Sequence, residues 1–243
     1  MKVLAIGNSF SQDATRYLHQ AAEAAGISMK VVNLCIGCCS LQRHFDNMRT
    51  DSVAYSLEYN GERLNIPVSI RNALISDKWD VVTLQQVSSL SYDIDSYEPY
   101  LTALSDYVRF LCPEAKLALH KTWFYEDGSD KLKATGFSTG IDMQKQINEA
   151  YQRARSLIGA DLMIPSGDAF EYLYTEGCKG IHRDTFHSSL GIGRYTLALT
   201  WLEALTGVSA IGNSFRDFDL PMTEEEICLC QRAAHYAVKE VGT

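Results

Sequence analysis

Short apolar runs rich in β-branched residues alternate along this chain with segments whose apolar positions recur every three or four residues, the pattern of parallel strands joined by crossover helices. Residues 3–6 form the first run, and after them Ala14, Tyr17, Leu18, Ala21, Ala22 and Ala25 fall at helical spacing up to Gly26. A glycine there suits the left-handed residue that closes a helix, so the pattern predicts one helix over 12–25. Strands two and three are expected at 29–34 and 80–84, where paired valines favour a pleated surface. Residues 99–111 place Leu101, Leu104, Val108 and Leu111 on one helical face, and 116–120 read as a fourth strand. A helix over 143–157, a fifth strand over 161–164, a short helix over 168–174 and two final helices over 191–205 and 223–241 complete the pattern.

Between strands two and three, Asn60 and Gly61 sit between half-apolar arms over 55–66, a hairpin signal read here as an insertion. Pro67 suits the first turn of a short helix running to Ile75. The stretch 123–140 is polar and punctuated by glycine, hence a long loop. With no internal repeat or low-complexity linker, the expected architecture is α/β: one domain over 1–243, a three-layer α/β/α doubly wound, flavodoxin-like sheet of about five parallel strands.

Composition narrows the function. The 243 residues are 46% apolar and 21% charged, with a formal net charge of −8 and no basic cluster able to neutralise a run of phosphates. Nucleic acid and anionic membranes are therefore not expected as partners. The opening apolar run is too short for a secretory leader, and nowhere do 18 apolar residues run together. Seven cysteines make an odd number, and Cys35, Cys38 and Cys39 end an apolar run, where thiols act as small buried hydrophobes. These features lead to the expectation of a reduced, cytoplasmic setting. No second Cys/His pair stands at zinc spacing, and His44, Asp46, His120 and His182 are scattered singles, so no metal and no cofactor are expected.

In doubly wound sheets ligands bind beyond the carboxyl ends of the strands, which directs attention to the residues following each strand. Ser9 follows the first strand and opens a helix, where amides at the helix start face developing negative charge. A hydroxyl at Ser9 or Ser11 also suits a helix cap. Asp184 and His187, three apart on a loop before a helix, have the spacing of a base and the carboxylate that orients it. Asp168, after the fifth strand, reads as a helix cap, with Ser166 as its competitor.

Together Gly7-Asn8-Ser9-Phe10, Gly37, Asp184 and His187 resemble the SGNH, or GDSL-like, hydrolase family, whose blocks occur in this order. The resemblance implies that Ser9 is a nucleophile attacking an ester carbonyl, with Asp184 and His187 completing a triad. It further implies an oxyanion hole built from the amides of Ser9 and Gly37 and a side-chain amide. Asn8 stands where the family usually carries Asp, and the usual Gly-x-Asn-Asp after strand three is replaced by LQQVSSLS. Gln85 or Gln86 carries the same amide group, and because successive strand residues face opposite ways only one can point at the site; Gln85 is favoured.

Gly136-Phe137-Ser138-Thr139-Gly140 matches a nucleophile elbow, yet the polar segment before Ser138 is no buried strand, and a mobile glycine loop is the better reading. Trp123, Phe124 and Tyr125 after the fourth strand, with Tyr92 and Tyr97 after the third, bring aromatics to the carboxyl edge; Trp123 and Tyr92 are the expected substrate contacts. The reading is an esterase removing short acyl groups, acetyl foremost, from a small-molecule or glycan ester. A lipase or thioesterase for longer chains, or a non-catalytic sugar or nucleotide binder, are the alternatives; no phosphate-binding Gly-x-x-x-x-Gly-Lys loop favours the nucleotide.

Overall fold

The structure, a computed structural model, describes residues 1–241, with side chains to residue 239; the last two residues of the expected 1–243 span lie outside it. Among these residues seven strands form one sheet: β1 (Lys2–Gly7), β2 (Lys30–Cys35), β3 (Tyr55–Tyr59), β4 (Glu62–Val68), β5 (Val81–Leu84), β6 (Lys116–His120) and β7 (Leu162–Ile164). Their order is β4-β3-β2-β1-β5-β6-β7. The five strands β2, β1, β5, β6 and β7 are parallel, as expected, and the β3-β4 hairpin extends the sheet antiparallel at one edge. It is thus part of the sheet rather than an insertion beside it.

Among the described residues ten α-helices flank the sheet: α1 (Ser9–Thr15), α2 (Leu18–Ala24), α3 (Leu41–Arg49), α4 (Ile70–Ile75), α5 (Tyr100–Leu111), α6 (Asp130–Thr135), α7 (Gly140–Ile158), α8 (Ser166–Thr175), α9 (Ile192–Thr206) and α10 (Glu224–Tyr236). Helices α1, α2, α8, α9 and α10 pack on one another, as do α3, α4, α5 and α7, giving the two outer layers of a three-layer fold. The chain leaves β1 toward β2 and returns to pair β5 on the other side, so the strand order reverses between β1 and β5. That reversal opens a crevice at their carboxyl ends, and Ser9 and Gln85 follow those two ends.

Several local expectations are corrected. The helix expected over 12–25 starts at Ser9, because the Asn8 side chain accepts the Phe10 amide, and it breaks at Arg16 and Tyr17. Tertiary bonds override helical propensity there: the Tyr17 hydroxyl donates to the Leu190 carbonyl at 2.6 Å and accepts the Asp219 amide at 2.7 Å. Pro67 lies in edge strand β4, where its missing N–H is tolerated, and α4 instead starts after Ser69, whose hydroxyl accepts the Asn72 amide. Helix α3, capped by Ser40, was not anticipated because its apolar residues Leu41, Phe45 and Met48 are few among polar ones.

The hairpin turn itself has the form its sequence predicts. Asn60 and Gly61 both take positive φ, at 51° and 86°, which twists the arms as a hairpin requires. Asn60 also inserts into the sheet, its side chain accepting the Val31 amide at 2.9 Å. Gly61 closes against the break between α1 and α2, where an added Cβ would stand 2.1 Å from the Arg16 carbonyl oxygen. Gly61→Ala combines that clash with left-handed strain of about 1–2 kcal/mol. We expect it to cost more than about 2 kcal/mol in urea denaturation, while Gly26→Ala, at φ 74° with nothing within 4 Å, costs only the left-handed strain of about 1–2 kcal/mol. Equal losses would remove the close packing at Gly61 as the cause.

Candidate active site

Ser9 is the first residue of α1, at the carboxyl end of β1. Its hydroxyl stands 2.8 Å from His187 Nε2, and His187 Nδ1 stands 2.7 Å from Asp184 Oδ2. The carboxylate can only accept, so Nδ1 carries the ring proton and Nε2 is left to accept the Ser9 proton. Asp184 Oδ1 also accepts the His187 backbone amide at 2.9 Å, so one carboxylate holds both the ring and the backbone of His187. Burial works to raise the Asp184 pKa, but these bonds from His187 outweigh it and hold the carboxyl below its ordinary value. The tight turn is closed by Thr185 at φ 73°, an uncommon conformation for a β-branched residue. The Glu126 amide braces it by donating to the Thr185 carbonyl at 2.8 Å.

What holds this loop against α1 is a buried carboxylate that sequence reasoning missed. Asp13, one helical turn after Ser9 and fully buried, accepts Arg183 Nη1 at 2.9 and 2.8 Å and Arg194 Nε at 2.9 Å. The same Arg183 nitrogen donates to the Ser188 carbonyl, so Arg183 and Ser188, the neighbours of Asp184 and His187, are both fixed to the helix bearing Ser9. Arg194 continues to Asp219, which also accepts Arg16 at 2.8 Å. The only sequence signal was an acid among apolar helical positions, facing basic residues far along the chain.

The amide groups near Ser9 are fixed with equal economy. Asn8 Oδ1 accepts the Phe10 amide and Gln85 Nε2, both at 2.9 Å, while Asn8 Nδ2 donates to the Cys39 carbonyl at 3.1 Å. An Asp at position 8 would face that carbonyl with a second oxygen, which accounts for Asn in place of the family's usual residue. Gly37 lies in the turn that Cys39 closes onto Ile36, with open space around it. Gln86 is excluded as an oxyanion donor, because its Nε2 is committed to the Ser96 carbonyl and hydroxyl, both at 3.1 Å, and its Oε1 accepts Leu41 and Val87 amides. Gln85, by contrast, has one acceptor for Nε2 among the described residues.

Other expected site residues fall elsewhere. Trp123 is completely buried, stacked between Phe10 at 4.0 Å and Phe170 at 4.9 Å, with Nε1 donating to the Phe186 carbonyl at 2.8 Å. It presents no face to substrate and instead supports Phe10 and the His187 loop from beneath. Tyr92 is half-buried and meets Phe137 edge-on at 5.0 Å. Phe186 lies beside His187, their ring centroids 3.9 Å apart, and is backed edge-on by the buried Tyr125, whose hydroxyl is 2.9 Å from Ser88 Oγ. Ser138 is exposed and follows helix α6 rather than a strand, and its neighbour Thr139 caps α7. Neither Asp168 nor Ser166 caps α8: Asp168 is buried against Lys121 at 2.5 Å, and Ser166 bonds His120. All seven cysteines are free. Among the described residues no group of His, Cys, Asp or Glu is placed to hold a metal ion, and no helix is long and apolar enough to cross a membrane.

The mixed sheet flanked by helices on both faces is the fold of the SGNH hydrolases, as the comparisons agree. A protein from Slackia heliotrinireducens, provisionally assigned as an SGNH hydrolase, superposes with a TM-score of 0.63 at 22% identity, over 84% of this chain and 98% of its own. One from Parabacteroides merdae ATCC 43184, provisionally assigned as a GDSL-like lipase, does so with a TM-score of 0.56 at 14% identity, over 84% and 94%. The chain itself belongs to DUF4886, a domain of unknown function, whose family model matches residues 2–237. A DUF4886 protein from Bacteroides uniformis ATCC 8492 is 38% identical over 98% of this chain and 94% of its own, with a TM-score of 0.90. No curated protein matches the chain.

Two measurements test this description. Asp13→Ala leaves Arg183 and Arg194 without their shared buried partner, and removing one member of a buried pair costs about 3–5 kcal/mol. We expect a loss of at least about 2 kcal/mol in urea denaturation, whereas a loss under about 0.5 kcal/mol would show that the network does not hold the loop. Acid provides the second test, since burial lowers His120 and His44 to about 3. These rings stay neutral in the fold but take up protons when unfolded, so their contribution is complete above pH ~6.5 and is lost as pH falls toward 3. Each should lower stability by up to about 1.4 kcal/mol per pH unit in that window, and a urea midpoint that stays flat from pH 6.5 to 4.5 would contradict their neutral burial.

Proposed function

We propose that this protein is a serine ester hydrolase that removes short acyl groups, acetyl foremost, from a carbohydrate-type ester. The observation that carries the reading is the unbroken chain from Ser9 Oγ through both nitrogens of His187 to Asp184, at 2.8 and 2.7 Å. A serine hydroxyl is a weak nucleophile until an imidazole takes its proton, and the carboxylate beyond the ring steadies the imidazolium that results.

The reaction follows from these groups. Ser9 Oγ attacks the ester carbonyl as its proton passes to His187 Nε2. Negative charge gathers on the carbonyl oxygen, where the amides of Ser9 and Gly37 and the Gln85 side chain donate hydrogen bonds. The tetrahedral intermediate collapses, His187 returns the proton to the departing alkoxide, and an alcohol leaves an acylated Ser9. Water then attacks with His187 as base, releasing the carboxylic acid and restoring the serine. Every group in this sequence belongs to the chain, to the substrate or to water.

The sugar preference rests on the wall beside the base. Phe186 is half-buried, as are Tyr92 and Phe137, which meet edge-on at 5.0 Å, and these rings supply the aromatic surface, while the buried Tyr125 and Ser88, whose hydroxyls bond each other at 2.9 Å, back it from within. Aromatic faces with polar groups nearby suit a sugar ring.

Hydrolysis of p-nitrophenyl acetate, butyrate and octanoate is the test. We expect kcat/KM to fall with chain length, and Ser9→Ala to lower kcat on acetate by at least about 10³-fold while Ser138→Ala stays within about 2-fold. Full activity in Ser9→Ala would overturn the proposed chemistry, and highest activity on octanoate would overturn the short-acyl preference.

A further inference from the structure

A buried chain of hydrogen bonds crosses the carboxyl ends of four strands, from Asn8 after β1 to Gln85 after β5, His120 ending β6 and Ser166 after β7. Gln85 Nε2 meets Asn8 Oδ1 at 2.9 Å, Gln85 Oε1 meets His120 Nδ1 at 2.7 Å, and His120 Nε2 meets Ser166 Oγ at 3.0 Å. All four residues are essentially fully buried. Such a run of polar side chains is costly in a core unless every bond is made, and packing alone does not call for it.

The direction of every bond is set by the backbone. Asn8 Oδ1 accepts the Phe10 amide and Asn8 Nδ2 donates to the Cys39 carbonyl, so its orientation is fixed by two main-chain groups that cannot exchange roles. Gln85 must therefore present nitrogen to Asn8 and oxygen to His120. His120 must carry its proton on Nδ1, and its Nε2 must accept the Ser166 hydroxyl. The ring cannot easily tip away from this register, because Trp201 packs edge-on at 4.8 Å and Trp123 lies at 6.2 Å.

We propose that His120 is a positioning residue that holds the Gln85 amide with one N–H on Asn8 and the second aimed at the oxyanion. Without a donor at Nδ1, Gln85 Oε1 would be an unsatisfied buried acceptor, and the amide would turn to relieve it. Turning would bring oxygen toward the place where negative charge develops. The catalytic contact belongs to Gln85, and His120 acts only through it. This inference rests on the esterase reading of Ser9 and on Gln85 as the side-chain oxyanion donor.

Two conservative substitutions divide the imidazole's roles. In His120→Asn the short amide places a nitrogen where Nδ1 stands and keeps the bond to Gln85. In His120→Gln the longer amide reaches the place of Nε2, keeps the bond to Ser166, and loses the donor to Gln85. On p-nitrophenyl acetate we expect His120→Asn to keep kcat within about 5-fold and His120→Gln to lose it by about 10²-fold with KM little changed, the signature of a lost oxyanion donor. Adding His120→Gln to Gln85→Met should cost nothing beyond Gln85→Met alone.

Equal losses in the Asn and Gln variants, or fully multiplicative losses in the double variant, would overturn the positioning role. A wild-type enzyme inactive on all esters would instead strike the esterase reading. The arrangement is also readable without turnover: two-bond ¹⁵N–¹H correlation of the imidazoles should show His120 as the Nδ1–H tautomer in the wild-type protein. The Nε2–H tautomer would overturn the proposal by itself.

Discussion

The site depends on one buried carboxylate. Ser9 starts a helix of seven residues, and His187 lies 178 positions later on a loop whose turn holds Thr185 in a left-handed conformation. Nothing local would keep such a loop at hydrogen-bond distance from that helix. Asp13 does so by binding the two residues that flank the Asp184 to His187 turn, Arg183 directly and Ser188 through the Arg183 guanidinium. A buried charge is tolerable only when paired, so the energy that forbids separating Asp13 from its arginines also fixes the distance from serine to imidazole. Arg194 and Asp219 carry the same constraint on to Arg16 and thence to Glu62 on the hairpin, so the edge of the sheet and the site share one network.

A second constraint acts on amide orientation. Asn8 accepts the Phe10 amide in capping α1, donates to the Cys39 carbonyl in the turn after Gly37, and accepts Gln85 Nε2, so one side chain ties together the segments that carry Ser9, Gly37 and Gln85. An acid at position 8, usual in the SGNH hydrolases that the motifs resemble, would repel the Cys39 carbonyl, and this explains how a departure in the first motif and another in the third belong together: Asn8 presents its oxygen to a glutamine, and the glutamine is steadied in turn by His120. Beneath both lies Trp123, stacked on Phe10 and bonded to the Phe186 carbonyl, linking the start of α1 to the His187 loop.

Much of this was legible from the residues. Parallel strands announced themselves by β-branched runs, Asn60-Gly61 by its turn chemistry, and Ser9, Asp184 and His187 by their places after a strand and before a helix. What stayed hidden was what depends on partners far away in sequence. The break at Tyr17 is made by Leu190 and Asp219, and the role of Asp13 by an arginine 170 residues away. Trp123 was misread because an aromatic following a strand looks the same whether it faces a ligand or, as here, fills the space beneath Phe10. Strand alternation favoured Gln85 over Gln86, and the physical reason, the Ser96 turn that occupies the Gln86 amide, lies in a contact ten residues on.

The most direct measurement of the central claim is to label the folded protein with diisopropyl fluorophosphate and locate the adduct by tandem mass spectrometry, since only an activated serine reacts quickly with a fluorophosphonate-type electrophile. A single adduct on Ser9, absent from protein unfolded in urea, is the result expected if Asp13 and the His187 loop assemble the nucleophile. An adduct on Ser138, or no adduct on Ser9 in the folded protein, would contradict it.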